Sequence, residues 1–377
     1  MAREVFGRKE HKERKGWKRV RLGELVDNNT ISIGRGNVIS KETIAASPGT
    51  YPVFSSSATG DGIIGYYSKF MFDDERLSWS IDGGGRFFYH PKSRYSVTNV
   101  SGWIKVNKPF EITPRFLYVA LDAEWQKKHF DYQTKAHPSV IKNEYTISYP
   151  PLEDQNRITA TITACENNIV ALQSLIAKYE AIKKATVNLL LKPKADWQRV
   201  KLGEVCELTT CTIPTECIDQ QYYVGTENML QNCQGVVPNL LPIPYKRVRA
   251  FAVNDILISN IRPYLKKIWL ADKNGGCSSD VNVVHCTSCE ICSAYICHVL
   301  SQDRFFDFVM ANAIGTKMPR GDKSIIKAFE FYYPYSAAEQ RMITNEIAAI
   351  DNAIAAYKIQ LEKVRQLKQG MMSYFFG

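Results

Sequence analysis

Trp17-Lys18-Arg19-Val20-Arg21-Leu22-Gly23-Glu24-Leu25 recurs as Trp197-Gln198-Arg199-Val200-Lys201-Leu202-Gly203-Glu204-Val205, with six of nine positions identical at an offset of 180. Self-similarity on this scale sets the plan of the chain before any motif is weighed. Glu111-Ile112 and Phe116-Leu117 return as Glu290-Ile291 and Tyr295-Ile296 at an offset of 179. Thr134-Lys135 returns as Thr316-Lys317, Pro150 as Pro334, and Asp154-Gln155 as Glu339-Gln340, by then at 185. So small a drift is loop insertion inside one unit written twice.

Each unit divides into two parts. The first, of about 135 residues, alternates short apolar runs with Gly and Pro, as strands and turns do; Asp255-Ile256-Leu257-Ile258-Ser259 and Val281-Asn282-Val283-Val284 are examples. A helix is expected near its end, from Pro114 to Lys128 and, in the second copy, from Ser293 to Met310.

The second part has heptad spacing. Apolar residues fall at Ile158, Ile162, Cys165, Ile169, Leu172, Ile176 and Tyr179, and again 185 residues later at Ile343, Ile347, Ile350, Ile354, Tyr357, Leu361 and Val364. A 3.5-residue period makes a narrow apolar seam that needs a partner helix. Pro150-Pro151 precedes the first of these helices and Pro193 closes it, because proline cannot continue the backbone ladder. From Asp154 to Leu191 such a helix is roughly 57 Å long at 1.5 Å per residue. A compact domain joins the end of the first helix to the start of the second, and it spans that gap easily only when the helices run antiparallel.

The fold class expected is therefore α+β: two similar domains separated by two long antiparallel coiled-coil helices, with an internal pseudo-two-fold repeat and one head at each tip. The expected boundaries are a basic N-terminal arm over 1–16, a first domain over 17–151, a helix over 152–192, a second domain over 193–335 and a second helix over 336–377.

Charge points to a partner. The 377 residues hold 48 Lys+Arg against 38 Asp+Glu, a net charge of +10 that favours a polyanion. No run approaches the ~18 apolar residues of a membrane span. The charged N-terminus MAREVFGRKEHKERKG lacks a signal-peptide apolar region, and ten cysteines without an export signal are expected to stay reduced, which places the protein in the cytoplasm. Two similar heads on a rigid basic spacer suit two separated segments of one DNA duplex.

With these residues in view the chain resembles the specificity subunit of type I restriction–modification systems. The resemblance rests on the W-x-R-V-x-L-G-E starts at Trp17 and Trp197, on Asn254-Asp255-Ile256-Leu257-Ile258-Ser259, and on Gly315-Thr316-Lys317-Met318-Pro319. The duplicated helix starts, Pro150 to Asp154-Gln155 and Pro334 to Glu339-Gln340, complete it. The first copy departs in having Asp154 where the family favours Glu, and His137-Pro138 where the second copy has Pro319-Arg320. The resemblance implies that the two domains are target-recognition domains for double-stranded DNA. It also implies that the helices are conserved spacers docking methyltransferase subunits, two of them, and that restriction-translocase subunits join that core. S-adenosylmethionine, ATP and Mg would then be used by the partner subunits, with no cofactor in this chain.

No residue reads as catalytic. An amino-methyltransferase holds its target amine with Asn or Asp before Pro-Pro-aromatic, and Tyr149-Pro150-Pro151-Leu152 has neither the acid nor the aromatic. Gly60-Asp61-Gly62-Ile63-Ile64-Gly65 matches a dinucleotide fingerprint on paper, yet Tyr66-Tyr67-Ser68-Lys69-Phe70 after it reads as a strand. No Walker loop occurs. Base reading falls to polar and basic residues on Gly-rich loops. In the first domain these are Ser55, Ser56, Ser57, Arg86 after Gly83-Gly84-Gly85, Arg94, Lys135 and His137. In the second they are Asn228, Asn260, Arg262, Lys266, Lys317, Arg320 and Lys323, with Arg262 and Arg320 the foremost.

A structural scaffold that ignores DNA explains the helices but not the charge. The other rival function is metal or redox chemistry, because Cys286, Cys289, Cys292 and Cys297, flanked by His285 and His298, are spaced like a zinc or iron–sulfur site. The repeat supplies a control: Glu290 to Cys297 aligns with Glu111 to Tyr118, which holds no cysteine. Cys292 and Cys297 therefore read as small core residues, and no metal site is expected. Elemental analysis of the purified chain should find no stoichiometric zinc or iron; one equivalent of either would reverse that assignment.

Overall fold

The computed structural model describes residues 16–57, 60–82, 84–128, 136–312 and 319–377. The chain forms two compact units, one made of residues 1–172 with 360–377 and the other of Gln173–Ile359.

The duplicated W-x-R-V-x-L-G-E segment does the same work in each. Lys18–Arg21 is a strand antiparallel to Thr146–Tyr149, and Gln198–Lys201 is one antiparallel to Glu330–Tyr333. Each strand turns into a short helix, Leu22–Asp27 or Leu202–Val205, whose first leucine is buried. The Leu22 N–H donates to the Tyr145 carbonyl and the Leu202 N–H to that of Phe329, both at 2.9 Å. The glycine that follows is a packing requirement: a Cβ on Gly23 or Gly203 would stand 3.2 Å from the carbonyl oxygen of Lys142 or Lys327. Trp17 meets Phe116 edge-on at 6.5 Å, and Trp197 meets Tyr295 the same way at 6.3 Å.

A four-stranded sheet follows in both units. Its order in the first is Ile31–Arg35, Ser101–Val106, Arg76–Ser80, Phe87–His90. The second repeats it as Cys206–Thr209, Val281–Cys286, Ile256–Ser259, Ile268–Leu270. The smaller sheets differ, with three strands in the first unit (Ile63–Tyr67, Pro48–Phe54, Ser96–Val97) and four in the second (Thr212–Pro214, Arg247–Phe251, Gly275–Cys277, Tyr223–Val224). The Asn254-Asp255 motif is the turn into a sheet strand: Asn254 takes φ 70°, and a buried Asp255 oxygen accepts the Ala252 N–H at 2.8 Å.

One expected helix is broken. Pro114–Trp125 is continuous, but its counterpart is Ser293–Leu300 followed by Asp303–Ala311. The Ser301 hydroxyl donates to the Cys297 carbonyl at 2.7 Å, and Gln302 takes an extended backbone (φ −72°, ψ 148°) at the N-cap of the next helix. The Ser301 N–H still donates to the Cys297 carbonyl at 2.9 Å, so the break comes at the extended Gln302, and it leaves the apolar periodicity of the segment intact.

The long helices run over Leu152–Leu190 and Ala337–Phe376. Each is pinned to its head by one buried glutamine. Gln155 Oε1 accepts the Thr113 N–H at 2.9 Å while Nε2 donates to the Glu111 and Pro150 carbonyls, both at 2.9 Å. Gln340 Oε1 accepts the Cys292 N–H at 2.9 Å, and its Nε2 donates to Glu290 at 2.7 Å and Pro334 at 2.9 Å.

Ile158, Ile162, Cys165, Leu172, Ile176, Ile343, Ile347, Ile354 and Leu361 of the expected seam are buried. Ile169, Tyr179, Ile350, Tyr357 and Val364 are half-buried. Ile158 and Ile162 join the core of the first head, and Ile343 and Ile347 that of the second. The heptad pattern at each helix start thus serves the head as well as a helix pair. In the second unit Lys183 pairs with Asp351 (2.6 Å), Glu180 with Lys358 (3.1 Å), and Tyr179 with Tyr357 (ring centroids 5.3 Å). Numbers fall on one helix as they rise on the other, so the segments are antiparallel, as connectivity required. In the first unit Lys368 pairs with Glu166 at 2.8 Å, and Glu166 also takes the Arg115 guanidinium of the head.

Replacing Gln340 by Ala removes the three hydrogen bonds of a buried amide and leaves the Cys292 N–H without its acceptor. Chemical unfolding of the full chain should show a loss of about 2–4 kcal/mol. A change below about 0.5 kcal/mol, the size of an ordinary surface substitution, would deny the pin its role.

Candidate nucleic-acid interface

The same hairpin of the four-stranded sheet closes in a tip in each unit, half-buried in the first and exposed at Arg262 and Tyr264 in the second. In the first, the Ser80 N–H donates to the Arg86 carbonyl at 2.9 Å, and Gly84 and Gly85 turn the tip with φ of 82° and 76°. In the second, the Ser259 N–H donates to the Lys267 carbonyl at 3.0 Å, closing a longer tip over 260–266. Here the left-handed positions are held by Arg262 (φ 52°) and Lys266 (φ 50°), with a single 3-10 turn, Pro263–Leu265, between them. A side chain in that region costs on the order of 1–2 kcal/mol, so surrounding contacts must impose it.

Both tips are backed by the chain leading into the next short helix. The Ala136 N–H donates to the Ile81 carbonyl at 3.1 Å in the first unit. In the second, Ile261 bridges to Arg320, the Arg262 N–H donates to Pro319 at 2.9 Å, and the Gly321 N–H donates to Asn260 at 3.1 Å.

Five of the first unit's expected readers converge on this end. The Ser56 hydroxyl donates to the Val100 carbonyl, which also accepts the Ile81 N–H at 3.0 Å. Ser55 Oγ accepts from the Thr98 hydroxyl at 2.8 Å. Arg86 donates to the Gly60 carbonyl at 3.2 Å and lies 5.0 Å over the Phe88 ring. His137, next to Ala136, is exposed and caps the helix Pro138–Glu144. Ser57 lies beside Gly62 on the same loop. Arg94 does not join them. It lies over the rings of Phe70 (4.9 Å) and Tyr51 (5.9 Å), an exposed cation–aromatic surface that pattern reading missed. Lys135 lies outside the described residues.

In the second unit Asn260, Arg262, Lys266 and Arg320 share the tip, and exposed Lys323 begins the helix Lys323–Ala328. Asn260 Oδ1 accepts from the Asn282 amide at 3.0 Å, and Arg320 stands 3.5 Å from Asp280. Lys266 forms a 2.6 Å ion pair with Asp303. The Arg262 guanidinium is exposed and has no side-chain partner among the described residues. Tyr264, 51% exposed between a buried Pro263 and Leu265, was overlooked; an aromatic inside a basic loop was the signal for it. Asn228 is a correction: it is buried, and its Oδ1 accepts the Gly225 N–H at 3.0 Å, so it shapes a turn instead of facing solvent. Lys317 lies outside the described residues. Burial pushes His90 and His298 down to about 4.

The cysteines follow the repeat. Cys292 caps its helix by accepting the Tyr295 N–H at 3.4 Å, as Thr113 accepts that of Phe116 at 3.2 Å. Cys297 is buried in the helix, and Cys286 donates to the Ile291 carbonyl at 3.3 Å. Among the described residues no three His, Cys, Asp or Glu side chains are grouped to hold a metal.

His285 contacts the buried Asp255 carboxylate at 2.7 Å, and that hydrogen bond, opposed by partial burial, raises its pKa above the ordinary imidazole value. A raised folded pKa stabilises the fold fully below the unfolded pKa and loses that stabilisation as pH climbs through the folded one. Thermal melts from about pH 6 to about pH 9 should show wild type losing stability relative to His285→Gln. Parallel profiles for the two proteins would refute the coupling.

Residues 14–183 match the family described as type I restriction modification DNA specificity domain. The chain is 30% identical over 158 residues to the specificity subunit of the type I restriction enzyme MpnII of Mycoplasma pneumoniae, an alignment covering 40% of this chain and 46% of that one. A second M. pneumoniae protein, described as a candidate type I specificity subunit, is 30% identical over 158 residues, or 40% of this chain and 64% of its own. The chain thus spans 46 to 64% of the length of these relatives. A crystal structure of a type I S subunit from M. genitalium superposes with a TM-score of 0.68 at 15% identity, covering 98% of both chains. A structure from work on complex assembly and conformational transition of the type I restriction–modification system gives 0.52 at 15% identity, covering 97% of this chain and 99% of that one.

Proposed function

We propose that the chain is a specificity subunit of the type I restriction–modification kind, as the match of residues 14–183 supports, and that it is the non-catalytic subunit that reads DNA for such a complex. Each head reads one half of a bipartite duplex target. The observation carrying this reading is the tip built twice on matching sheets, once with Arg86 beside it and once with Arg262, Lys266 and Arg320. An arginine can bridge both major-groove acceptors of a guanine, and such a contact specifies a base where a phosphate contact only positions.

The long helices set the unread gap and dock methyltransferase subunits, two of them, with restriction-translocase subunits joining that core. Ala348, Ala349, Ala355 and Ala356 are exposed on the second helix and permit a further helix to approach closely. In the first unit a cleft of about 610 Å³ between the helix segments is lined by Ile158, Leu367, Gly370, Met371 and Phe375 and suits an apolar partner. S-adenosylmethionine, ATP and Mg act in those partners. No helix among the described residues is long and apolar enough to cross a membrane; we place the assembly in the cytoplasm, with the host DNA.

Arg262→Ala should weaken binding to the target duplex by ~1–3 kcal/mol and relax one base position. The methylated sites mapped in the source genome should degenerate at that position. Unchanged sites and unchanged affinity would remove Arg262 from the reading set. A scaffold with no DNA affinity would give no salt-dependent shift with any duplex, whereas the proposed function requires one.

A further inference from the structure

Lys266 invites reading as one more phosphate contact, yet its ammonium is already engaged. One oxygen of the Asp303 carboxylate takes Lys266 Nζ at 2.6 Å, and the other takes Lys184 Nζ of the first long helix at 2.9 Å. Asp303 begins the short helix Asp303–Ala311, whose preceding break was unexpected from periodicity, and the two ammonium groups hold its carboxyl below the usual carboxylate range.

The backbone at Lys266 shows what the clamp holds. Lys266 sits at φ 50°, a conformation that L side chains resist. Its N–H donates to Pro263, and its carbonyl accepts the Cys233 N–H at 2.8 Å. The Leu265 N–H donates to Arg262 at 2.9 Å. Arg262, Pro263, Tyr264, Leu265 and Lys266 therefore form one rigid turn: Pro263 is its buried foot, Arg262 and Tyr264 face solvent, and Lys266 is its tether.

We propose that Asp303 is a positioning residue for DNA reading. By holding Lys266 it sets the strained turn that presents Arg262 and Tyr264, and through Lys184 it ties that turn to the long helix. Lys266 acts on DNA through the turn and not by touching a phosphate. This rests on the DNA-reading function proposed above and names what orients the contact.

The two roles for Lys266 separate by salt and by sequence. A lost phosphate contact weakens every duplex alike and lowers the log–log salt slope by about 0.9. A lost tether weakens the selected duplex while sparing an unrelated one. The full chain would first be used to select its preferred duplex from a randomised pool. Affinities for that duplex and a scrambled one of equal composition would then be measured across salt for Asp303→Asn, Lys266→Met, the double variant and Lys266→Arg.

Both single variants should lose on the order of tenfold in the ratio of selected to scrambled affinity, within the range for members of one salt-bridge network. The double variant should lose no more than either single, the salt slope should hold, and Lys266→Arg should stay near wild type. Lys266→Met weakening both duplexes alike with a shallower slope would overturn the proposal. So would losses that add in the double variant, or an Asp303→Asn protein that keeps its ratio. Melting curves identify any variant that fails to fold, and Lys266→Met and Asp303→Asn test the clamp independently from its two ends. A wild-type chain that enriches no sequence from the pool would sink the DNA-reading function itself, an outcome distinct from a selective wild type whose variants behave otherwise.

Discussion

A glutamine amide with every hydrogen-bonding group satisfied holds each head to its helix. Gln155 and Gln340 are buried, each accepts one backbone N–H, and each donates to two carbonyls. A buried amide is costly unless its partners are all present, so the arrangement tolerates little rotation of helix against head. Any role that depends on where a head's loops sit relative to the helix beneath it depends on this joint. The two proline carbonyls that receive the amides, of Pro150 and Pro334, mark the same place in both copies.

The repeat made most of the fold legible. Trp17 and Trp197, the strands after them and the Gly23 and Gly203 contacts are local devices that the chain spells twice, and each recurs in the structure with the same partners. The helix direction was legible too, because a compact connection forbids the parallel choice. The break at Ser301-Gln302 was not, since one residue turning to extended backbone leaves no trace in apolar periodicity. Nor was the double service of Ile158, Ile162, Ile343 and Ile347, where a heptad position faces a head.

The sequence outlined the candidate interface only as a set of loops, and the structure shows which of the chosen residues share one. A glycine run marks a tip when the turn needs positive φ, and Gly84 and Gly85 were found that way. The second tip reaches the same backbone region with Arg262 and Lys266, which no composition rule announces. Asn228 was drawn in by residue type alone, and burial removed it from the surface. Arg94 was picked as a cation, while the two aromatic rings beneath it are non-local in sequence and visible only once the strands are placed.

Net charge alone overstates how many cations are free to meet a polyanion. The chain carries +10, but at the second tip Asp303 claims Lys266 and Asp280 stands near Arg320, which leaves Arg262 as the cation without a partner among the described residues. Acids placed among a loop's lysines and arginines trade non-specific attraction for fixed geometry: they lower the affinity for any phosphate backbone and restrict the directions a guanidinium can take. Specificity is a difference between two affinities, so weakening the sequence-independent part sharpens it even when no base contact is gained. A lysine clamped by an acid and a lysine reaching for phosphate are identical letters in a sequence. The distance to a carboxylate tells them apart, and at Lys266 that distance is 2.6 Å.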